Sequence, residues 1–276
     1  MKVYTHLRPD ADAILSIAAL MLLKNVGVKE VTVNEVTEEE IPETLGDDEY
    51  VVDVGLKWDG EKWFDHHQID SFEMESATSL VLAAAGFPRD EISPYCAWYD
   101  LQRITDNNGP RLALKLCCGI ENPTQEMVAN FFATSLISTL PMLYEKSVVL
   151  ALEVAVTWMK TGLENVMKMG SRIQELEEMC VKHDDIWVFP ETDNPFGMGL
   201  FLKKNDPEHV VKATIIKDNR ANDWCLCRTS DDSGVDFGLI RGLKGVGFVH
   251  ATGFLAKVDG TLEEAIDIVK QSRTTQ

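Results

Sequence analysis

Along the first part of the chain, apolar residues come in short runs, and each run ends at a cluster of acids and histidines. Lys2 to Thr5 is brief, β-branched and aromatic, and predicts a strand that stops at His6. After Asp12 the period changes. Ile14, Ile17, Ala18, Met21 and Leu22 fall on one face of a helix, which Gly27 is expected to close. Val28 to Val33 alternates and predicts a second strand. Tyr50-Val51-Val52-Asp53-Val54 is a continuous apolar run broken by one acid, the pattern of a buried parallel strand. A short strand at Lys62–Phe64 then delivers Asp65-His66-His67.

Helices are predicted from Ser76 to Ala85 and from Glu91 to Thr105, the second ending at the turn signal Asp106-Asn107-Asn108-Gly109-Pro110. From Pro123 to Cys180 the text is helical. Beyond Asp185 it turns to strands at Ile186–Phe189, Val210–Ile216, Trp224–Thr229 and Gly247–His250. A final helix carries Thr261 and Glu264 as a capping box. The pattern predicts an α/β chain. A domain with an open parallel sheet comes first, a helical connector follows, and a smaller mixed α/β domain ends it. The expected boundaries are 1–122, 123–184 and 185–276.

Composition changes this picture in a few places. The net charge of −19 over 276 residues disfavours a broad clamp on duplex nucleic acid, which needs many Lys and Arg contacts to phosphate. The acids crowd into the first region, where the run from Glu35 to Glu49 reads as a solvated face. The six cysteines have no zinc spacing and read as reduced thiols. No apolar run is long enough to span a membrane, and no secretory signal opens the chain, so a cytoplasmic location is expected.

The candidate chemistry sits where the strands end. An acid followed by two histidines is costly to bury without a partner, and so is Asp53 at the end of an apolar strand. His6, Asp10, Asp12, Asp53, His66 and Asp106 form a set of carboxylate and imidazole ligands suited to divalent cations. A two-metal site needs a shared carboxylate. Asp53 is the natural bridge, with His6 and Asp10 on one ion and Asp12 and His66 on the other. Asp100, six residues before Asp106, is an alternative to it. In the last region Arg241 and His250 are candidates for phosphate contacts, with Arg220 and Lys217 behind them. Gly247 and Gly253 flank His250 and permit close backbone approach.

The order His-x3-Asp-x-Asp, strand-end Asp, Asp-His-His resembles the first three motifs of the DHH phosphoesterase superfamily, over roughly residues 3–110. The segments Arg241-Gly242-Leu243 and Gly247 to Phe254 are similar to the C-terminal signature of the melanocyte-proliferating-gene family of DHH nucleases. The Gly-Gly-rich His motif of the usual partner domain is absent. The resemblance implies a doubly wound parallel sheet, two Mn2+ or Mg2+ ions and hydrolysis of a phosphoester or phosphoanhydride by metal-activated water. It places His6, Asp10 and Asp53 on one ion, Asp12, Asp53, His66 and Asp106 on the other, and His67 against the substrate phosphate. The substrate expected is a short single-stranded oligonucleotide or a small nucleotide, with a pyrophosphatase or a non-catalytic metal- or nucleotide-binding protein as alternatives. A homodimer stays open as the assembly.

Overall fold

In the computed structural model, residues 1–67, 75–93, 96–218 and 223–274 are described. The chain forms two compact units, Met1–Lys168 and Met169–Gln276.

The first unit is built on β1 (Lys2–His6), α1 (Ala11–Lys24), β2 (Thr32–Val36), β3 (Glu49–Val52) and β4 (Trp63–Phe64). The strands are all parallel, in the order β2-β1-β3-β4. The chain steps from β1 to β2 on one side and then crosses to β3 on the other, so the order reverses between β1 and β3. In open α/β sheets that reversal opens a crevice at the carboxyl ends of the strands. The predicted α/β fold with a parallel sheet is what the structure shows.

Two boundaries differ from the expectation. Val28–Glu30 is a single 3-10 turn, closed by the Glu30 carboxylate accepting the Gly27 N–H at 2.9 Å, so the second strand begins only at Thr32. The first helix ends not at Gly27 but at Asn25, which takes the left-handed conformation at φ +53°. Asparagine tolerates that conformation because its short polar side chain bonds locally.

The rest of the unit is helical: α2 (Ala77–Ala84), α3 (Arg89–Ile92), α4 (Ala97–Asn108), α5 (Pro110–Cys118), α6 (Gln125–Thr134), α7 (Leu136–Lys146) and the start of α8 (Val148–Met179). The single helix predicted over 91–105 is thus two pieces, and the second continues through Asn108. Asp106 lies inside its last turn rather than in the turn beyond. Gly109, at φ +82°, ends α4, and Pro110 opens α5, a helix the pattern did not predict. One face of the sheet buries Val3, Tyr50, Val52 and Phe64 against α1, α2, α4, α7 and α8. The opposite face is covered only thinly, by Ile41, Leu45 and Trp63 over Tyr4, Val51 and Val54.

The second unit contains the end of α8, then β5 (Val181–His183), β6 (Ile186–Phe189), α9 (Met198–Asn205), β7 (Ala213–Asp218), β8 (Asp223–Arg228), β9 (Val246–Val249), β10 (Leu255–Val258) and α10 (Leu262–Gln271). Its sheet has the order β5-β6-β7-β8-β10-β9, with only the β6–β7 pair parallel. β5, α9 and β10 were not predicted. β5 is three exposed residues, too short to show a period. α10 packs Ala265, Ile266, Ile268 and Val269 onto Ile186, Val188, Ile215, Leu226 and Val258.

All six cysteines are free thiols. Among the described residues no single helix is long and apolar enough to cross a membrane.

The capping box at the start of α10 is formed: Thr261 Oγ1 accepts the Glu264 N–H at 3.2 Å, and the Glu264 carboxylate accepts the Thr261 N–H at 2.8 Å. The T261A variant should lose about 1 kcal/mol of stability, read by urea denaturation. An unchanged midpoint would mean that packing alone holds this helix.

Candidate metal centre

Each polar cluster of the first unit is delivered by the end of an element. His6 is the last residue of β1. Asp10 is the N-cap of α1, and its Oδ1 accepts the N–H groups of Asp12 at 2.8 Å and Ala13 at 3.1 Å. Asp12 follows in the first turn of α1 and is buried. β3 stops at Val52, and Asp53 turns left-handed, at φ +56°. That conformation is sparsely populated for residues other than glycine and marks a chain held against its preference. Asp65, His66 and His67 leave β4. Asp106 comes from the last turn of α4.

These residues converge. His6 Nε2 lies 3.3 Å from Asp53 Oδ2, and His66 Nε2 lies 3.3 Å from Asp53 Oδ1, so the two oxygens of one buried carboxylate face two different imidazoles. His66 Nε2 is also 3.1 Å from Asp106 Oδ2 and 3.9 Å from Asp12 Oδ2. Two groups of possible ligand atoms, each mutually within 4.8 Å, are His6/Asp10/Asp53 and Asp12/His66/Asp106. A third, Asp53/His66/His67, joins them. Asp100 stays outside. Its Oδ1 accepts from Arg103 Nη2 at 2.8 Å and its other oxygen accepts from Ser93 Oγ.

The donor set fits a metal ion on a structural test. Asp53 Oδ1, His66 Nε2 and Asp106 Oδ2 are buried and have no hydrogen-bond partner among the described residues, although His66 Nε2 stands within 3.3 Å of both oxygens. Buried polar atoms left unpaired are costly. Here they point at a common centre, as ligands around a cation do.

The charges are mutually dependent. Burial pushes Asp53 up, but His6 and His66 more than offset it and hold the carboxyl below the ordinary range. Burial, followed by the charges of Asp106, Asp53 and Asp10, pushes Asp12 well up. The contact with Asp53 raises His6 to about 9. Burial lowers His66, but Asp106 and Asp53 override it and raise the imidazole to about 11.

Asp65 is not part of the ligand groups. Its Oδ2 accepts the Leu56 N–H at 2.6 Å, and its Oδ1 accepts both the His67 N–H at 3.0 Å and His67 Nδ1 at 2.7 Å. A carboxylate accepts only, so the ring hydrogen sits on Nδ1 and His67 turns Nε2 away from Asp65. The His67 ring is about half exposed.

Three features were missed in the sequence. Gln102 donates from Nε2 to Asp12 Oδ1 at 2.7 Å. It stands four residues before Asp106, a spacing that puts both on one helix face and offered a signal. The N-terminus of α2 gives the Ala77 and Thr78 N–H groups to Asp12 at 2.6 and 3.1 Å. A cavity of about 340 Å³ opens beside Asp10, Asp12 and Asp106, walled opposite by Ile137, Ser138 and Pro141 of α7. Nothing in the sequence pairs α7 with α1.

In the second unit the structure brings Arg241, His250 and Gly253 together at the loop between β9 and β10. Arg241 Nη2 donates to the carbonyls of His250 and Ala251, both at 2.9 Å, and so braces the loop. His250 Nδ1 accepts the Thr252 N–H at 3.3 Å. Gly253 is required by its surroundings. It has φ +67°, and a Cβ there would stand 2.0 Å from Asp236 Oδ1. Lys217 lies over the Trp224 ring. Arg220 lies outside the described residues.

Residues 5–87 match the family model MYG1_exonuc, described as "Uncharacterised protein family (UPF0160)". A sequence search of curated proteins finds no match. Among solved structures, the chain is similar to a pGpG-specific phosphodiesterase from Vibrio cholerae, at 14% identity and TM-score 0.31, with 98% of this chain and 95% of that chain covered. It is also similar to the exonuclease RecJ bound to manganese, at 11% identity and TM-score 0.29, covering 99% and 89%. RecJ in complex with Mn2+ from Thermus thermophilus gives 12% and 0.30, covering 98% and 51%. Scores this low carry no functional argument, and the chemistry of the site rests on its own residues.

Since His6 and His66 hold protons at neutral pH without an ion, binding must displace them. Adding Mn2+ to the metal-free protein in weak buffer should release protons, and the apparent affinity should rise with pH through about 9, the value of His6, and on towards about 11, the value of His66. No proton release on Mn2+ binding would rule out these imidazoles as ligands.

Proposed function

We propose that this chain, DHH-like over residues 5–87, is a divalent-metal-dependent phosphoesterase. It cleaves phosphodiester bonds of short single-stranded oligonucleotides or a small nucleotide. The observation that carries this is the set of unpaired buried ligand atoms on Asp53, His66 and Asp106, gathered where the strand order reverses. Structural carboxylates are normally satisfied by protein donors, as Asp65 and Asp100 are here.

His6, Asp10 and Asp53 would hold one Mn2+ or Mg2+, and Asp12, Asp53, His66 and Asp106 the other. Bound together, two such ions acidify a water and neutralise the phosphoryl oxygens. The chain's own residues do the rest. Asp53 fixes the spacing of the two halves through its two oxygens. Asp65 holds the His67 ring by Nδ1, leaving Nε2 to donate to a substrate phosphate. The contact with Asp65 raises the His67 pKa, which favours the cationic ring that an anion requires. Ile137 and Pro141 give the cavity an apolar wall against which the uncharged part of a nucleotide can rest.

In this reading residues 1–122 carry the chemistry, 123–184 are the helical wall and connector, and 185–276 form a unit of their own in which Arg220, Arg241 and His250 are the candidates for binding phosphate. Residues 185–276 hold 11 Lys/Arg against 14 Asp/Glu, so this region is far less acidic than the rest of the chain, with 15 against 31.

The test is a turnover panel with Mn2+ on dinucleotides, cyclic dinucleotides, short RNA, short DNA and pyrophosphate. Hydrolysis of at least one phosphodiester is expected, with none after chelation. D53A should lose at least about 1,000-fold in kcat, the scale set by removal of a group that organises transition-state charge, while remaining folded by circular dichroism. Full Mn2+-dependent activity in D53A would remove the bridging role. Metal binding without turnover on any substrate would remove the enzymatic reading.

A further inference from the structure

Asp12 is a ligand candidate with an unusual set of protein partners. An ionised carboxylate offers about four lone-pair sites. Oδ1 of Asp12 accepts the Thr78 N–H at 3.1 Å and Gln102 Nε2 at 2.7 Å, so both of its sites are taken. Among the described residues Oδ2 accepts only the Ala77 N–H, at 2.6 Å, and it is Oδ2 that lies 3.9 Å from His66 Nε2. One site on that oxygen remains, on the side of the metal centre.

The Gln102 amide is itself oriented. Ser76 Oγ, the N-cap of α2, accepts the Ser79 N–H at 3.4 Å. Its hydroxyl hydrogen therefore goes elsewhere, and Gln102 Oε1 lies 3.3 Å away. With Oε1 held by that donor, the amide NH2 must face Asp12. The reverse orientation would press one oxygen against a carboxylate oxygen. Gln102 is only 2% exposed, and Ser76 is fully buried, so water does not compensate for either. Gln102 and Asp106 stand one turn apart on α4, so one helix face presents a ligand and the group that sets its partner.

We propose that Gln102 is a positioning residue. It commits Oδ1 of Asp12 to the protein and leaves Oδ2 as a single-oxygen ligand of the ion held with His66 and Asp106. The inference rests on the two-ion reading above. A carboxylate with both oxygens open can swing or chelate through both, which draws the ion off the position that His66 and Asp106 define. Partners of this kind, one step behind a ligand, typically govern metal affinity by about 10–100-fold.

The test uses the full chain, stripped of metal and titrated with Mn2+ by calorimetry and electron paramagnetic resonance. The unaltered protein should bind two ions and show the spin-coupled signal of a neighbouring pair. Q102M keeps the length of the side chain and removes both amide groups. It should retain one ion with nearly unchanged affinity and bind the second roughly 10–100-fold more weakly, without the coupled signal at Mn2+ levels that saturate the parent. Its turnover should be low at limiting Mn2+ and recover at excess, with KM nearly unchanged. Q102N, which keeps an amide but draws it back by one methylene, should shift the second ion in the same direction and decides the matter if Q102M does not fold. L163A, a core control in α8, should keep both ions.

If the Gln102 variants bind two ions as the parent does, the positioning role is wrong while the two-ion reading stands. If L163A loses the second ion as well, the effect is general loosening and the inference fails. It also fails if neither Gln102 variant folds. If the parent binds no Mn2+, it is the proposed function that fails.

Discussion

The first unit depends on one electrostatic problem, which is how to bury several carboxylates at the edge of a single sheet. Asp12 and Asp53 are nearly inaccessible, and Asp106 stands close by. Like charges at this spacing repel strongly in a medium of low dielectric. The protein alone offsets this in part. His6 and His66 approach Asp53 from its two sides, and the nearby carboxylates raise both imidazoles and favour their cationic forms. What they do not do is make aligned hydrogen bonds with the carboxylates, and unpaired atoms of both kinds remain. A divalent ion held by His6, Asp10, Asp12, Asp53, His66 and Asp106 would ease both difficulties, since it would offset the carboxylate charge and take up the unpaired lone pairs.

Asp12 shows how the same residues serve the fold. Its carboxylate ties the first turn of α1 to the first turn of α2 and to α4, and its carbonyl accepts from Ser16 Oγ and Thr78 Oγ1 at 2.7 and 3.1 Å. Three helices meet on this residue. The N-terminus of α2 gives it donors and favourable dipole together. Asp10 has a double part of the same kind, as cap of α1 and neighbour of His6. The oxygen of Asp10 that caps the helix, Oδ1, is also the one that lies 4.0 Å from His6 Nε2. The local signals of a structural acid and of a catalytic one are therefore the same in sequence.

The second unit solves a different problem. Its sheet is largely antiparallel and its core is ordinary, but the loop after β9 is built to a tight specification. Arg241 binds two successive carbonyls, and Gly253 yields its space to Asp236, whose Oδ1 accepts the Gly238 N–H at 2.7 Å. The bracing leaves His250 on a defined backbone. The glycine that suggested close approach of a ligand is explained, in this structure, by the approach of Asp236.

The sequence by itself determined the α/β class, the strands of the first sheet to within a few residues, and the positions at which polar clusters interrupt apolar runs. Those follow from local periodicity and from the cost of placing an acid at the end of a buried strand. It left open whether Asp100 or Asp106 joins the cluster, because six residues on one helix differ in direction only when the helix is docked. Docking turns Asp106 to His66 and Asp100 to Arg103 and Ser93. Only the tertiary structure decided the partners of Asp12, since Ala77, Thr78 and Gln102 are 65 to 90 residues away, and Ala77 and Thr78 donate through backbone groups that have no individual signature. Backbone N–H groups are the same in every residue but proline. Which of them meets a carboxylate is settled by the packing of helices and not by the chain's local text.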